Sequence, residues 1–138
     1  MKLIDTNVVI YAAGRPHRYK AACADILREA AKSELQDYAI DVELLQEVLH
    51  FYHSRQHLHL GLQIFDELMQ TFHAPLAVTP HEVAVARDIL ARYPILSARD
   101  CIHAAVVLNQ GLEAIISADR AFDQILEIKR LDPLELYP

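Results

Sequence analysis

The fold is decided at the start of the chain, by the stretch Lys2-Leu3-Ile4-Asp5-Thr6-Asn7-Val8. A short apolar run leads directly into three short polar residues, and a second apolar segment follows over residues 8–13. A short apolar run that ends at polar residues is consistent with a buried strand. We therefore predict a buried strand over residues 2–4, a polar turn beginning at Asp5, and a short helical segment after the turn.

Strand and helix signals alternate along the rest of the chain. Apolar residues recur at helical spacing over about 17–33, 42–57, 60–72, 80–92 and 98–110, whereas short strand-like runs occupy 38–40, 76–78, 114–116 and 128–131. A further helical turn is predicted around 122–126. This alternation predicts an α/β protein with a mostly parallel central sheet that helices cover on both faces. The length of 138 residues fits one domain over residues 1–138.

Capping residues mark several of the predicted boundaries. Asp41 is placed to cap the 42–57 helix, and Gly111 is placed to end the 98–110 helix. The clearest boundary is Thr79-Pro80-His81-Glu82, which combines a Thr N-cap, a proline at the first helical position and a glutamate three residues after the cap. We therefore expect a helix to begin at Pro80.

The composition indicates a globular protein. Apolar residues make up 53% of the chain and charged residues 23%, without a low-complexity stretch, which excludes a disordered chain. The net charge of -6 argues against a broad basic surface that would bind a phosphate backbone. Any nucleic-acid substrate would therefore be held locally.

The cysteines and the apolar runs indicate the compartment. Cys23 and Cys101 have neither the spacing of metal ligands nor the density of a disulfide scaffold, which favours a reducing compartment. Asp5 falls where the apolar core of a signal peptide would have to begin, and the apolar runs, such as 8–13 and 104–108, are too short to span a bilayer. We therefore expect a cytoplasmic protein with no membrane partner.

Four acidic residues stand where an α/β fold would collect them in one cleft. Asp5 follows the first strand, Glu47 lies within the 42–57 helix, Asp100 opens the 98–110 helix, and Asp119 follows the 114–116 strand. Parallel sheets bind ligands at the carboxyl ends of their strands. Carboxylates gathered without matching cations repel one another, and a divalent metal is the usual means of neutralising them. Oxygen ligands of this kind suit Mg²⁺ or Mn²⁺.

Each of these acids also has an ordinary structural interpretation. Asp5 and Asp119 could simply cap the segments that follow them, and Ser97 with Asp100 has the spacing of a capping box. Glu47 lies at the edge of the apolar arc of its helix, where a solvated glutamate is common. A site is favoured because four separate segments supply acids to one cleft, which capping alone does not require.

Four stretches of the chain, taken in order, carry a resemblance to a known family. They are Leu3-Ile4-Asp5-Thr6-Asn7-Val8, Gln46-Glu47-Val48-Leu49, Leu96-Ser97-Ala98-Arg99-Asp100 with Ala104-Ala105, and Ile116-Ser117-Ala118-Asp119-Arg120-Ala121-Phe122-Asp123. Together they resemble the PIN-domain ribonucleases, and within them the VapC-type toxins. The resemblance spans nearly the whole chain, and its first and last stretches are the most specific.

The resemblance implies a three-layer α/β/α fold and a Mg²⁺- or Mn²⁺-dependent endoribonuclease that acts as the toxin of a toxin–antitoxin pair. It further implies inhibition by a cognate antitoxin protein, and commonly a homodimer. The catalytic residues carried over are Asp5, Glu47, Asp100 and Asp119, of which Asp5, Asp100 and Asp119 would bind the metal. The supporting residues are Thr6, Asn7 and Ser117, with Asp123 as an auxiliary acid. Arg99 and Arg15 are candidates for contact with substrate phosphates.

Other functions remain open at this point. A metal-independent ribonuclease would use a histidine pair and the RNA 2′-hydroxyl, and would leave a cyclic phosphate. A phosphatase of the haloacid dehalogenase class needs a second acid two residues after Asp5, where Asn7 stands instead. The chain could also be a catalytically silent module that binds a partner through apolar surface between the 17–33 and 60–72 helices.

Histidines form a separate cluster in the middle of the chain. His50, His53 and His57 would lie within about 60° of one another on one helix face, and His59 could join them only beyond the helix end. They could bind Zn²⁺ or Ni²⁺, although solvated surface histidines are the more ordinary interpretation.

Overall fold

One parallel sheet forms the centre of the computed structural model, which describes residues 1–34 and 37–138. Its strands are β1 (Lys2–Ile4), β2 (Tyr38–Ala39), β3 (Ala114–Ile116) and β4 (Arg130–Leu131), in the order β2-β1-β3-β4, and every pair is parallel. The chain passes from β2 on one side of β1 to β3 on the other side. The strand order therefore reverses beside β1, at the kind of position where α/β sheets bind ligands.

Helices cover both faces of this sheet. Over the described residues they are α1 (Thr6–Ala13), α2 (Lys20–Lys32), α3 (Val42–Ser54), α4 (Leu58–Thr71), α5 (Pro80–Arg92), α6 (Ala98–Asn109), α7 (Pro133–Leu136) and a short 3₁₀ helix (Arg120–Gln124). None of the helices described for this chain has the length and apolar character needed to cross a membrane.

Two apolar cores lie on opposite sides of the sheet. Ile4 and Ile116 contribute to the core formed with α1 to α4, whereas Leu3 and Ile115 contribute to the core formed with α5, α6 and the 3₁₀ helix. This division follows because successive side chains of a strand point to opposite faces. All four side chains are fully buried, and each such burial stabilises the fold by about 1.5–3 kcal/mol. The predicted three-layer α/β/α architecture is confirmed.

The predicted caps at Asp41, Thr79 and Gly111 are confirmed. Asp41 Oδ1 accepts a hydrogen bond from Leu44 N at 2.9 Å, and α5 begins at Pro80 with the complete capping box of Thr79 and Glu82. Gly111 has a φ of 60°, a backbone conformation that favours glycine, just after the end of α6.

The structure differs from the predicted elements in several places. The strand predicted over 76–78 is wrong, because Leu76 makes only an isolated bridge with Asp41, and two residues later the chain reaches the N-cap of α5. The helix predicted over 42–57 ends at Ser54, because Gln56 takes a positive φ of 61° that no α-helix continues. The short helix α7, which begins at Pro133, was not predicted.

Candidate active site

Asp5 lies at the carboxyl end of the central strand, and its side chain is held from two directions. Its backbone N–H donates to Ile116 O across the β1–β3 pair, at 3.0 Å. Its Oδ1 accepts from the backbone N–H of Thr6 at 2.8 Å, and its Oδ2 accepts from Ser117 Oγ at 2.6 Å. Asp5 therefore caps α1, which is its ordinary structural role, while its buried carboxylate also faces the cleft described below.

Ser117 connects the two loops that follow β1 and β3. Its Oγ donates to Asp5 and accepts from Asn7 Nδ2 and from Asp119 N, each at 3.0 Å. Asp119 in turn caps the 3₁₀ helix, because its Oδ1 accepts from Ala121 N at 2.9 Å. The predicted supporting residues Asn7 and Ser117 therefore lie in the same hydrogen-bond network as Asp5.

Asp100 lies in the first turn of α6 and is half-buried. Its backbone N–H donates to Ser97 Oγ at 3.1 Å, so the serine cap that the sequence predicts is present. A helix N-terminus favours a carboxylate in its first turn. The cap and a position facing the cleft are compatible in this geometry, since both Ser97 and Asp100 line that cleft.

The four predicted acids line one cleft. It encloses about 540 Å³, and its lining includes Asp5, Thr6, Asn7, Glu47, Arg99, Asp100 and Asp119. Ile10, His50, Phe51 and Arg55 also line it, and sequence analysis had not associated them with the acids. Arg55 lies over the Phe51 ring, with its guanidinium carbon 3.7 Å from the ring centroid.

Of the predicted site residues, Ser117, Asp123 and Arg15 lie outside the lining of this cleft, although Ser117 hydrogen-bonds to Asp5. Both carboxylate oxygens of Asp123 accept hydrogen bonds from Arg130, whose Nε and Nη2 lie at 2.8 Å and 3.1 Å. Arg15 is exposed in the turn after α1. Neither Asp123 nor Arg15 is therefore brought to the acids in this structure.

A buried histidine is the feature of the site that sequence analysis missed. His103 lies on α6, three residues after Asp100, and is fully buried. Its Nδ1 lies 2.6 Å from Asp41 Oδ2, and its Nε2 lies 2.8 Å from Glu47 Oε1 and 3.6 Å from Asp5 Oδ1. The expectation that the acids gather without a cation is corrected here, because an imidazole lies between two of them.

The pKa values follow from burial and from these contacts. Burial, with smaller contributions from nearby Asp100 and Glu47, raises the pKa of Asp5 to about 6, although His103 and the Ser117 hydrogen bond act to lower it. Burial also raises the pKa of Asp100, with a contribution from Asp119. For His103, burial lowers the pKa, but the hydrogen bonds to Asp41 and Glu47 outweigh it and raise the pKa well above its usual value.

The histidine cluster predicted on the surface is not assembled. His50 and His53 lie on α3, whereas His57 precedes α4 and His59 lies within it, so they do not share a helix face. In the part of the chain that the structure describes, no group of three or more His, Cys, Asp or Glu side chains is arranged to hold a metal ion. The Zn²⁺ or Ni²⁺ site is therefore not supported.

The acidic cleft suits a divalent ion in its donor chemistry, although its acids do not converge into a coordination shell. Carboxylate oxygens from Asp5, Asp100 and Asp119 are the ligands that Mg²⁺ and Mn²⁺ prefer. Thr6 Oγ1 is buried in the same cleft and, among residues 1–34 and 37–138, has no hydrogen-bond partner. Because buried polar atoms are normally paired, this hydroxyl indicates that a polar group outside the chain binds here.

Comparisons with known proteins agree with this geometry. Residues 2–127 match the PIN domain family. VapC ribonuclease Mb1869c of Mycobacterium bovis and ribonuclease VapC13 of Mycobacterium tuberculosis are each 35% identical over 131 residues, which cover 95% of this chain and 99% of each relative. The chain therefore belongs to the PIN-domain family, among its VapC-type members.

Solved structures agree on the fold. The chain is similar to VapBC2 from Rickettsia felis, solved bound to a DNA fragment from their promoter, with a TM-score of 0.72 and 14% identity over 95% of this chain and 97% of that one. FitAcB from Neisseria gonorrhoeae gives a TM-score of 0.72 and 17% identity over 97% and 99% of the two chains. The fold is thus that of PIN-domain proteins.

Proposed function

We propose that this protein is a metal-dependent endoribonuclease that hydrolyses RNA phosphodiester bonds as the toxin of a toxin–antitoxin pair. The observation that carries the proposal is the cleft at the carboxyl ends of β1 and β3, which is lined by four acids from four segments. The relatives named as ribonucleases match over nearly the full length of both chains and support RNA as the substrate class.

Asp5, Asp100 and Asp119 are the residues that would hold Mg²⁺ or Mn²⁺. When bound, such an ion lowers the pKa of a water molecule and offsets the charge that develops on the phosphate oxygens. Thr6 N and Ser117 Oγ hold the Asp5 carboxylate in one orientation toward the cleft. Glu47 lines the same cleft and would orient an attacking water molecule.

Two arginines of the cleft would bind substrate. Arg99 and Arg55 both line the cleft and can donate hydrogen bonds to phosphate oxygens.

Attack by water on phosphorus would leave a 5′-phosphate and a 3′-hydroxyl. A histidine ribonuclease that uses the 2′-hydroxyl would leave a cyclic phosphate instead, so the product ends separate the two mechanisms.

The test is cleavage of an end-labelled RNA by purified protein free of antitoxin, with Mg²⁺, with EDTA, and beside Asp5→Asn. We expect cleavage only with the metal, products with a 5′-phosphate, and at least about a 100-fold loss in the variant. Asp66→Asn, an exposed position on α4, is the matched control and should cleave as the wild type does. Equal cleavage by Asp5→Asn or in EDTA would contradict the proposal.

An apolar groove is the proposed site for the antitoxin. It encloses about 300 Å³ between α1, α2 and α4, and its lining includes Val9, Ala24, Leu27, Ile64 and Leu68. An amphipathic or extended segment of the antitoxin can bury apolar side chains in a groove of this kind. Leu27→Asp should abolish copurification with the antitoxin, whereas Leu62→Asp, at an exposed position on α4, should not.

The alternative function is a catalytically silent module that binds the same partner. It predicts that antitoxin-free protein forms the complex but leaves RNA intact in Mg²⁺. The homodimer stays a prediction, and light scattering of the purified protein tests it directly.

A further inference from the structure

Three acidic or basic side chains from separate points of the fold form a hydrogen-bonded chain that leads into the acidic cleft. Asp41, at the end of the segment that follows β2, contacts His103 on α6, and His103 contacts Glu47 on α3. Asp41 and His103 are both 0% exposed. Glu47 lines the cleft, as does Asp5, whereas Asp41 and His103 are not among its lining residues.

Hydrogen bonds hold both carboxylate oxygens of Asp41. Its Oδ1 accepts from Leu44 N, which makes it the N-cap of α3, and its Oδ2 lies 2.6 Å from His103 Nδ1. The residues on either side of it are tied to the neighbouring segment, because Val42 N donates to Leu76 O and Leu76 N donates to Ile40 O. With both carboxylate oxygens in use, Asp41 sets the plane of the ring and hence the direction of Nε2.

Nε2 of that ring is directed at two carboxylates of the cleft. It lies 2.8 Å from Glu47 Oε1 and 3.6 Å from Asp5 Oδ1. A glutamate on a helix has three rotatable side-chain bonds, and by itself it would also be repelled by Asp5. The imidazole therefore supplies both a fixed direction for Glu47 and a donor between the two acids.

We propose that His103 is a positioning residue, which holds the Glu47 carboxylate in the cleft next to Asp5 and is itself oriented by Asp41. The inference rests on the proposed function, because it concerns how the same site orients the attacking water molecule. Hydrogen bonds from outside the coordination sphere generally orient metal-binding carboxylates, and their loss costs about 10- to 100-fold in affinity or activity.

Two substitutions of His103 distinguish the contributions of its two ring nitrogens. The amide of His103→Gln lies near the position of Nε2 and can still donate to Glu47, whereas the amide of His103→Asn lies near Nδ1 and can donate only toward Asp41. We expect His103→Asn to lose about 10-fold in kcat with KM for RNA unchanged, while Mn²⁺ affinity, measured by calorimetry without RNA, stays within about 3-fold of the wild type because Glu47 is not among the residues that would hold the ion. His103→Gln should retain both within about 3-fold. Equal losses in the two variants would overturn the inference.

A double-mutant cycle tests whether His103 acts through Glu47. In a Glu47→Ala background, His103→Asn should cause no further loss of kcat, because the residue that it positions is gone. Independent losses that multiply would overturn the inference and assign His103 a purely structural role. Thermal unfolding of each variant separates loss of fold from loss of positioning.

The wild-type protein and Glu47→Ala provide a test that needs no variant at His103. In metal-free protein both ring N–H protons of His103 should be visible by NMR as slowly exchanging signals. Glu47→Ala should remove the Nε2–H signal and leave the Nδ1–H signal, because only the former loses its acceptor. Persistence of both signals would overturn the inference.

Failure of the inference is distinguishable from failure of the proposed function. Wild-type protein that neither binds Mn²⁺ nor cleaves RNA in Mg²⁺ would overturn both. Wild-type protein that does both, with multiplying losses in the cycle, would overturn only the role of His103.

Discussion

Asp5 is buried at the carboxyl end of β1, where its ionised form is unfavourable in the metal-free protein. Burial raises its pKa to about 6, even though Ser117 donates to it and His103 lies nearby. The same carboxylate must lose its proton to bind a divalent ion. A carboxylate that the proposed reaction needs therefore lowers the stability of the metal-free fold at neutral pH, a conflict common at functional sites.

Asp5→Asn should consequently make the metal-free protein more stable while removing activity. The pKa of Asp5 rises from 3.8 to about 6 on folding, which corresponds to about 3 kcal/mol at a pH above both values. The stability due to protonated Asp5 is fully present below pH 3.8 and is lost as pH rises through about 6. Urea unfolding in EDTA should therefore show the variant to be more stable at pH 7.5, with a smaller difference at pH 4.5.

The control for this prediction is Asp66→Asn, which changes an exposed carboxylate on α4. Its unfolding midpoint should follow that of the wild type at both pH values. An Asp5→Asn variant no more stable than wild type at pH 7.5 would show that the buried charge is not costly.

Thr6 offers a complementary test, because its buried hydroxyl has no partner within the described chain. Thr6→Val keeps the shape and removes only that hydroxyl, so metal-free stability should be unchanged or slightly higher. Cleavage in Mg²⁺ should fall by about 10-fold, and Thr6→Ser should restore it. The control is Thr71→Val. The hydroxyl of Thr71 donates to Glu67 O within α4, away from the cleft, so its removal should leave cleavage unchanged. Full activity of Thr6→Val would remove Thr6 from the site.

At the scale of elements, α3 connects the site to the packing of its neighbours. It begins at the Asp41 cap and carries Glu47 at the cleft, and in its last turn Tyr52 lies against Gly61 of α4. A Cβ added at Gly61 would lie 2.7 Å from Tyr52 Cβ, which is too close for two carbon atoms. The close approach of α3 and α4 therefore depends on a glycine at this position.

Gly61→Ala should destabilise the protein although alanine is the better helix former. Replacing a helical glycine gains about 1 kcal/mol, whereas forcing α3 and α4 apart costs about 1–3 kcal/mol. We expect the free energy of unfolding, measured with urea, to fall by up to about 2 kcal/mol. Gln63→Ala, at an exposed position on the same helix, should change the free energy by less than about 0.5 kcal/mol. A more stable Gly61→Ala would contradict the tight packing.

At the scale of the whole molecule, the net charge of -6 restricts how RNA can bind. Arg55 and Arg99 are the arginines among the residues that line the cleft, in the part of the chain that the structure describes. Binding should therefore depend on a few local phosphate contacts and not on a broad basic surface.

This predicts a shallow salt dependence of RNA binding. Two contacts to single-stranded RNA give a slope of about -1.4 in a plot of log affinity against log salt, at about -0.7 for each phosphate. Arg99→Ala in an inactive Asp5→Asn background with Mg²⁺ should reduce the slope by about 0.7. Arg87→Ala, at an exposed position on α5, is the control. A slope much steeper than -2, on the order of -5, would indicate a basic surface that we have not recognised.

The features that the sequence by itself determined are those made by residues close together in the chain. The Thr79 capping box and the Asp41 cap each join residues three apart, and Gly111 ends α6 where its φ is positive. The order of strands and helices likewise follows from local periodicity. A common cleft for the four acids could be predicted from the sequence, because the carboxyl ends of parallel strands lie at one edge of the sheet.

Tertiary structure alone decided what surrounds these acids. His103 contacts Asp41 and Glu47 across 62 and 56 residues, and its place three residues after Asp100 was the one local signal. Arg130 engages Asp123 only because β4 lies beside β3 and the 3₁₀ helix. Local spacing predicts which face a residue occupies, but hydrogen bonds between distant segments depend on how helices and strands pack together. The sequence therefore predicted the acids, and the packing of α3 against α6 decided that a histidine lies between them.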